Sequence, residues 1–316
     1  MTLKNAWKRL IYNAMSKHIL ITGGTGLIGK KLTKRLLENG NTVSHLSRKP
    51  GTDPKVATYL WDVNKGQIDA HCIDGVDIII HLAGSGIADE RWTDKRKQEI
   101  IDSRTKSIAL VYDVLKNKAH AVKTVISASG VGYYSDRGDE IMTETCAPAH
   151  DFMGKCCVAW ENTVTEGEKL GLRVVKFRTG VVLSTKGGAL PKLGAPVKLG
   201  MGAALGSGKQ FVPWIHQRDA VDMYLFAIAH DELTGVYNMA APNPVTNKEL
   251  TKTIAAVTNR PFWLPNVPAF ALKLALGEMS IVVLGSTNTS AKKIKAAGFS
   301  FSYPELEDAL KDLYKK

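Results

Sequence analysis

The chain has 316 residues, 44% hydrophobic and 23% charged, which puts it among globular proteins with enough apolar material for a large core in two lobes and excludes disordered and fibrous classes. Its 42 Lys and Arg against 30 Asp and Glu give a formal charge of +12. The lysines are scattered, and no zinc finger, RNP-like strand or arginine-rich arm goes with them, so charge alone does not make a nucleic-acid binder. A cationic surface equally draws in a phosphorylated cofactor or an anionic substrate.

Residues 1–16 read as an N-terminal extension: Lys4, Lys8 and Arg9 lie beside Trp7, Leu10 and Ile11 without the apolar core of a secretory signal. A start codon upstream of a functional Met15 and a targeting helix are the two explanations. His18 to Ile21 then predicts a buried parallel strand, and Ile28, Leu32, Leu36 and Leu37 recur at helical spacing up to Gly40, which suits a C′ cap. Between strand and helix lies Thr22-Gly23-Gly24-Thr25-Gly26-Leu27-Ile28-Gly29. Gly23 permits the tight turn, Gly26 the approach of backbone to a pyrophosphate, and Gly29 the close packing of helix on strand, while the helix start aims free N–H groups at the phosphates. Thr25, Leu27 and Ile28 are expected beside the same cofactor. A structural glycine turn without a ligand is the alternative, and the full strand, turn and helix setting weighs against it.

Thr42 to Ser47 predicts the second strand, and Arg48 follows nineteen residues after Gly29, where an NAD protein would place an acid on the ribose 2′-OH. A guanidinium there favours the 2′-phosphate of NADP, with Ser47 adding a hydroxyl; a solvated basic turn is the alternative. Ala57 to Leu60 predicts the third strand. Asp62 after it either accepts from the adenine amino group or serves its own turn. Val76 to Leu82 is the fourth, and Leu82-Ala83-Gly84 closes it at the edge where a cofactor lies.

Thr93 to Lys118 and Phe152 to Leu170 predict helices, and Thr124 to Ala128 and Leu172 to Arg178 predict strands. This alternation implies an α/β, Rossmann-type doubly wound parallel sheet. Leu183 to Gly208 is glycine-rich and flanked by Lys186, Lys192, Lys198 and Lys209, so it reads as a lid for an anionic substrate or as a plain connector. A helix around Asp219 to His230 and a strand Val236 to Met239 follow, and only helices and prolines are evident beyond Ala240. The expected division is an NADP-binding Rossmann domain of residues 17–182 with 216–239, and a smaller C-terminal substrate lobe of 183–215 with 240–316. Pro268 to Gly285 is too interrupted by Lys273, Gly277 and Glu278 to span a membrane. Cys72, Cys146, Cys156 and Cys157 form no metal pattern and imply reduced thiols in a cytoplasmic protein.

With these blocks in place, the chain resembles the extended, atypical short-chain dehydrogenase/reductases, within them the epimerase-like group sometimes labelled cell-division inhibitors. The resemblance runs from Lys17 to about Tyr314 and is carried by TGGTGLIG at 22–29, LSRKP at 46–50, HLAG at 81–84, SASGVGYYSDRGDE at 127–140, RTGVVLSTKGGAL at 178–190 and LGSGKQFVPWIH at 205–216. It implies NADP as cofactor and places Glu99, Arg104 and Val181 near it. Typical members also pair a strand serine with Tyr-x-x-x-Lys on the next helix. Ser129 matches the serine, but Met153 and Cys157 stand at the tyrosine and lysine positions.

Tyr133 and Tyr134, just past the strand end, are then the candidate acids, Tyr133 first, since a neutral phenol can donate a proton to a carbonyl; aromatic pocket walls are the alternative, and Lys155 and His150 are lesser candidates for proton traffic. Tyr112 to Lys116 is a literal Tyr-x-x-x-Lys on the wrong helix. The reading is an NADP-dependent oxidoreductase or epimerase acting on a small polar substrate such as a nucleotide sugar, with room for a homodimer and no nucleic-acid, membrane or metal partner. The alternative is a non-catalytic NADP-responsive regulator.

Overall fold

The computed structural model describes residues 16–315, so the N-terminal extension, apart from Ser16, lies outside the described residues. Strands β1 (His18–Thr22), β2 (Thr42–Ser47), β3 (Ala57–Asp62), β4 (Gln67–Ile68), β5 (Ile78–His81), β6 (Thr124–Gly130), β7 (Arg173–Thr179) and β8 (Gly235–Met239) form one sheet in the order β8-β7-β6-β5-β1-β2-β3-β4. All neighbours are parallel except β3 and β4. Every side chain of β5 is buried, and β1 is buried from Ile19 on. That is why these strands read as unbroken apolar runs, as parallel strands covered on both faces do.

Helices α1 (Leu27–Glu38), α2 (Asp94–Asn117), α3 (Phe152–Thr165), α4 (Ala189–Lys198), α5 (Gln217–Ala229), α6 (Asn247–Val257) and α7 (Ala269–Leu276) precede α8 (Ile281–Leu284), α9 (Lys292–Ala296) and α10 (Leu306–Tyr314). Leu32 and Leu36 of α1 join Ile19, Ile21, Phe177 and Tyr224 in a core on one sheet face. Val111 of α2 and Trp160 and Val164 of α3 join Leu20, Ile79 and Val125 on the other. A third core, with Leu183, Leu190, Trp214, Leu250, Ile254 and Leu310, lies in the C-terminal part, whereas Ala291, Ile294 and Phe299 return to the first.

The long helix begins where its sequence indicates, because the Thr93 hydroxyl accepts the Arg96 N–H at 3.1 Å and so satisfies an otherwise orphan donor. The second predicted helix stops at Thr165 and tightens into a 3₁₀ turn, Glu166–Leu170, which Gly171 ends at φ +74°. The stretch 183–208, expected as a lid or connector, contains α4. Leu190, Gly194 and Val197 face the third core; Pro191 falls in the first turn, where no N–H is needed, and Pro196 inside the helix costs it one hydrogen bond, so the prolines mask the helical period without preventing the helix. Beyond residue 240 two short strands also form, Val245–Thr246 and Asn288–Thr289.

Candidate cofactor and substrate site

Strand order runs outward in opposite directions from β1 and β5, so the crevice beyond their C-terminal ends is the switch point at which open α/β sheets bind ligands. Gly23 turns the chain there at φ +71°, and a Cβ on it would lie 2.8 Å from the Leu82 carbonyl carbon. At Gly29 a Cβ would lie 2.4 Å from the Gly23 oxygen, so this glycine lets the helix pack on the loop itself. Gly24, which the spacing does not single out, makes way for the His45 ring. Thr33 Oγ1 fixes that ring at 2.8 Å.

Gly26 is the N-cap of α1 and provides no side-chain hydrogen bond, and the first turn contains no acid. Helices α2, α3 and α6 are capped by Thr93, Asp151 and Thr246, whereas α4 shares the uncapped start of α1. What sets α1 apart is its place at the switch point, where a run of donors at a positive dipole end could hold the pyrophosphate of a dinucleotide. Thr25 and Gly26 are exposed at this mouth, and Leu27 and Ile28 are half-buried behind them.

Arg48 stands exposed one residue beyond β2, and among the described residues it forms no ion pair. Ser47 Oγ accepts the Lys49 N–H at 3.2 Å, which shapes the turn that carries the guanidinium. Asp62 Oδ1 accepts the N–H groups of Asn64 and Lys65 at 3.1 and 3.2 Å, the turn role of its two expected alternatives. At the end of β5 the Leu82 and Ala83 N–H groups donate to Thr22 Oγ1 at 3.2 and 3.1 Å. Thr22 thus clamps the two lips of the crevice together; a threonine ending an apolar strand was the available signal.

Arg104 is buried. Its guanidinium donates to the Ser85 carbonyl at 2.9 Å and the Ile100 carbonyl at 2.9 Å, and stacks 5.1 Å from the Trp160 ring centroid. It fastens the loop through Gly84, where a Cβ would meet Arg104 at 3.3 Å. Glu99, on the same helix, is half exposed and pairs with Arg96 at 3.3 Å.

Ser129 is buried at the end of β6 and donates its hydroxyl to Glu161 Oε1 at 2.7 Å. Glu161 in turn holds Arg178 with two bonds, 2.8 Å to Nε and 2.9 Å to Nη2. Burial pulls the Arg178 pKa down, but the paired carboxylate outweighs it and leaves the guanidinium firmly charged. Nη1 donates to the Tyr134 hydroxyl at 2.9 Å, which donates to Asn238 Oδ1 at 2.8 Å. Tyr133 sits in the 3₁₀ turn after β6 with the Arg178 guanidinium 3.3 Å over its ring, and its hydroxyl makes no hydrogen bond among the described residues. Neither Glu161 nor Arg178 stood out in the sequence; charges inside an otherwise apolar helix face and strand were the signal.

Met153 and Cys157 do lie on α3 against Gly132 and Gly130, beside Ser129 and Tyr133 in the chain. Burial pushes the Cys157 thiol well above its ordinary range, so it is packing and no nucleophile. Tyr112 is buried and donates to the Val164 carbonyl at 2.7 Å, spent in the core far from these residues. A cleft of about 510 Å³ opens beside Val131, Gly132, Met153 and Val181 and continues between α4, α6 and α8.

Two buried histidines brace this half of the molecule. His81 at the end of β5 lies between Ser107 Oγ at 2.8 Å and Ser127 Oγ at 3.1 Å, and burial drives its pKa down to about 3. His216 accepts the Arg218 N–H at 3.1 Å, and burial, opposed by Asp312, lowers its pKa to about 4. Both titrate near 6.5 when unfolded, so between these values the unfolded chain binds more protons. Their stabilising effect is complete above about pH 6.5 and is lost as pH falls, about 2 kcal/mol for each by about pH 5. Urea midpoints at about pH 7.5 and about pH 5 check this, and an unchanged midpoint contradicts it.

The NAD dependent epimerase/dehydratase family matches residues 19–240, and a domain of unknown function, DUF1731, matches residues 267–313. Epimerase family protein YfhF of Bacillus subtilis is 39% identical over 298 residues, 94% of this chain and 97% of its own. Human epimerase family protein SDR39U1 (isoform2), crystallised with NADPH, superimposes at a TM-score of 0.83 with 30% identity, covering 94% of this chain and 98% of that one. A nucleoside-diphosphate sugar epimerase from Corynebacterium glutamicum gives a TM-score of 0.80 and 30% identity over 98% of this chain and 61% of its own. With the glycine loop at the switch point of a Rossmann-type sheet, these matches show that the chain belongs to the NAD dependent epimerase/dehydratase family, in its epimerase-like short-chain dehydrogenase/reductase group.

Proposed function

We propose that the protein binds NADP(H) and performs nicotinamide-dependent oxidoreduction or epimerisation on a small molecule in the cleft beside β6. The observation that carries this reading is the uncapped start of α1 combined with an Arg48 at the end of β2 that forms no ion pair among the described residues. The first meets a pyrophosphate and the second meets a 2′-phosphate. That SDR39U1 was crystallised with NADPH supports the choice of phosphate. The bound cofactor supplies or accepts a hydride. Tyr133 holds the proton for the substrate oxygen, and Arg178, stacked on its ring and fixed by Glu161, keeps the phenol in one orientation. Ser129 is the second polar group at this strand end.

The loss of Tyr-x-x-x-Lys, with Met153 and Cys157 in its place, favours a second reading: a regulator that senses NADP without turnover. NADPH absorbance followed with a panel of aldehydes, ketones and sugar nucleotides separates the two. Tyr133→Phe is expected to lower turnover about 100-fold with NADPH affinity unchanged. No oxidation with any member of the panel would overturn the enzymatic reading in favour of the regulator.

A further inference from the structure

The cleft beside β6 is walled mainly by apolar side chains, among them Met153, Val181, Leu193, Phe211, Leu250 and Val282. Most polar atoms of its few polar side chains are already engaged. Asn247 Oδ1 accepts the Leu205 N–H at 2.7 Å, Thr287 Oγ1 donates to the Ser135 carbonyl at 2.6 Å, and the Ser135 hydroxyl bonds Asp151. The two charged residues of the lining have opposite signs. Lys192 Nζ donates to the Ala88 carbonyl at 3.1 Å, and the Asp89 carboxylate folds against Gly86.

A nucleoside diphosphate in this space would bring about two negative charges to a wall that offers one lysine, already bonded to the Ala88 carbonyl, and one opposing carboxylate, a poor exchange for the water its charges would lose. An apolar molecule loses nothing on entering and gains with every carbon it buries. The approach is apolar as well: Val282 lines the cleft and is 45% exposed, and α7, in the segment just before it, presents Phe270 and Leu274 to the outside.

Resting on the reading that this cleft holds the substrate, we propose that it takes an apolar small molecule with one or two hydrogen-bonding atoms, of the class of a medium-chain carbonyl compound, and rejects nucleotide sugars. The volume of about 510 Å³ is within the range of small-molecule sites. This departs from the polar substrate that the sequence led us to expect, because the residues that form the wall are dispersed over α3, α4, α6 and α8 and meet only in the fold.

Calorimetric titration of the full chain, with and without saturating NADPH, using the 2-alkanones from 2-butanone to 2-decanone and UDP-glucose, tests the proposal by binding alone. Affinity is expected to rise about fourfold per added methylene until the cleft is filled, with UDP-glucose weaker than about 1 mM. Leu193→Asn and, at the half-exposed position that leaves the core intact, Val282→Asp should each flatten the gradient. A flat series, or UDP-glucose binding more tightly than 2-decanone, overturns it. A steep gradient without NADPH oxidation upholds this inference while counting against the enzymatic reading.

Discussion

Glu161→Ala is expected to lower the free energy of unfolding by about 3–5 kcal/mol, the cost of leaving one member of a buried ion pair unpaired. Arg178 would keep its charge in a site where only 4% of its side chain is accessible. The damage would spread, because that guanidinium also holds Tyr134 and the Glu144 carbonyl, and Tyr134 reaches Asn238. Asn238 ties strand β8 to the Met142 and Ser290 carbonyls, so one carboxylate secures β6, α3, β7 and the C-terminal segment together. Replacing both partners, Glu161→Leu with Arg178→Met, should recover part of the loss, since no charge is then left buried without a partner, while Ser129 and the Glu144 carbonyl still lose theirs. Urea unfolding of the two variants measures this. A single variant within about 1 kcal/mol of the parent would mean that the network carries little stability.

Arg48→Ala should weaken NADPH binding by about 30-fold, equivalent to about 2 kcal/mol for a charge-assisted contact, and leave NADH unchanged. The asymmetry follows from where the residue sits. Arg48 lies outside the glycine loop and the start of α1, which serve the pyrophosphate that both cofactors share. Its loss removes only what answers the extra phosphate. Arg48→Lys should recover part of the preference, because an ammonium supplies charge without the two parallel bonds of a guanidinium. Equal losses for NADPH and NADH in fluorescence titrations would instead place Arg48 in the common binding surface.

The strand, glycine turn and helix that frame the proposed cofactor site were legible in the sequence because each of their signals is local. Strand, glycine turn and helix follow one another between His18 and Glu38, and Thr93 and Gly171 mark element ends by their own chemistry. The substrate half is not local. Leu193, Leu250 and Val282 lie on three helices far apart in the chain and meet only in one cleft. Helix α4 was hidden by its prolines and glycines, whose breaking tendency is weaker than the burial of Leu190 and Val197. Glu161 and Arg178 lie seventeen residues apart on a helix and a strand, and each alone reads as an ordinary surface charge. Ser129 was legible as a strand-end serine, but its engagement by Glu161 needed the fold.

A crystal structure of the full chain grown with NADPH tests the central claim most directly. Our account predicts the pyrophosphate on the N–H groups that start α1, and the 2′-phosphate within hydrogen-bond reach of the Arg48 guanidinium. A pyrophosphate bound elsewhere, or a 2′-phosphate in open solvent with Arg48 turned away, would contradict it.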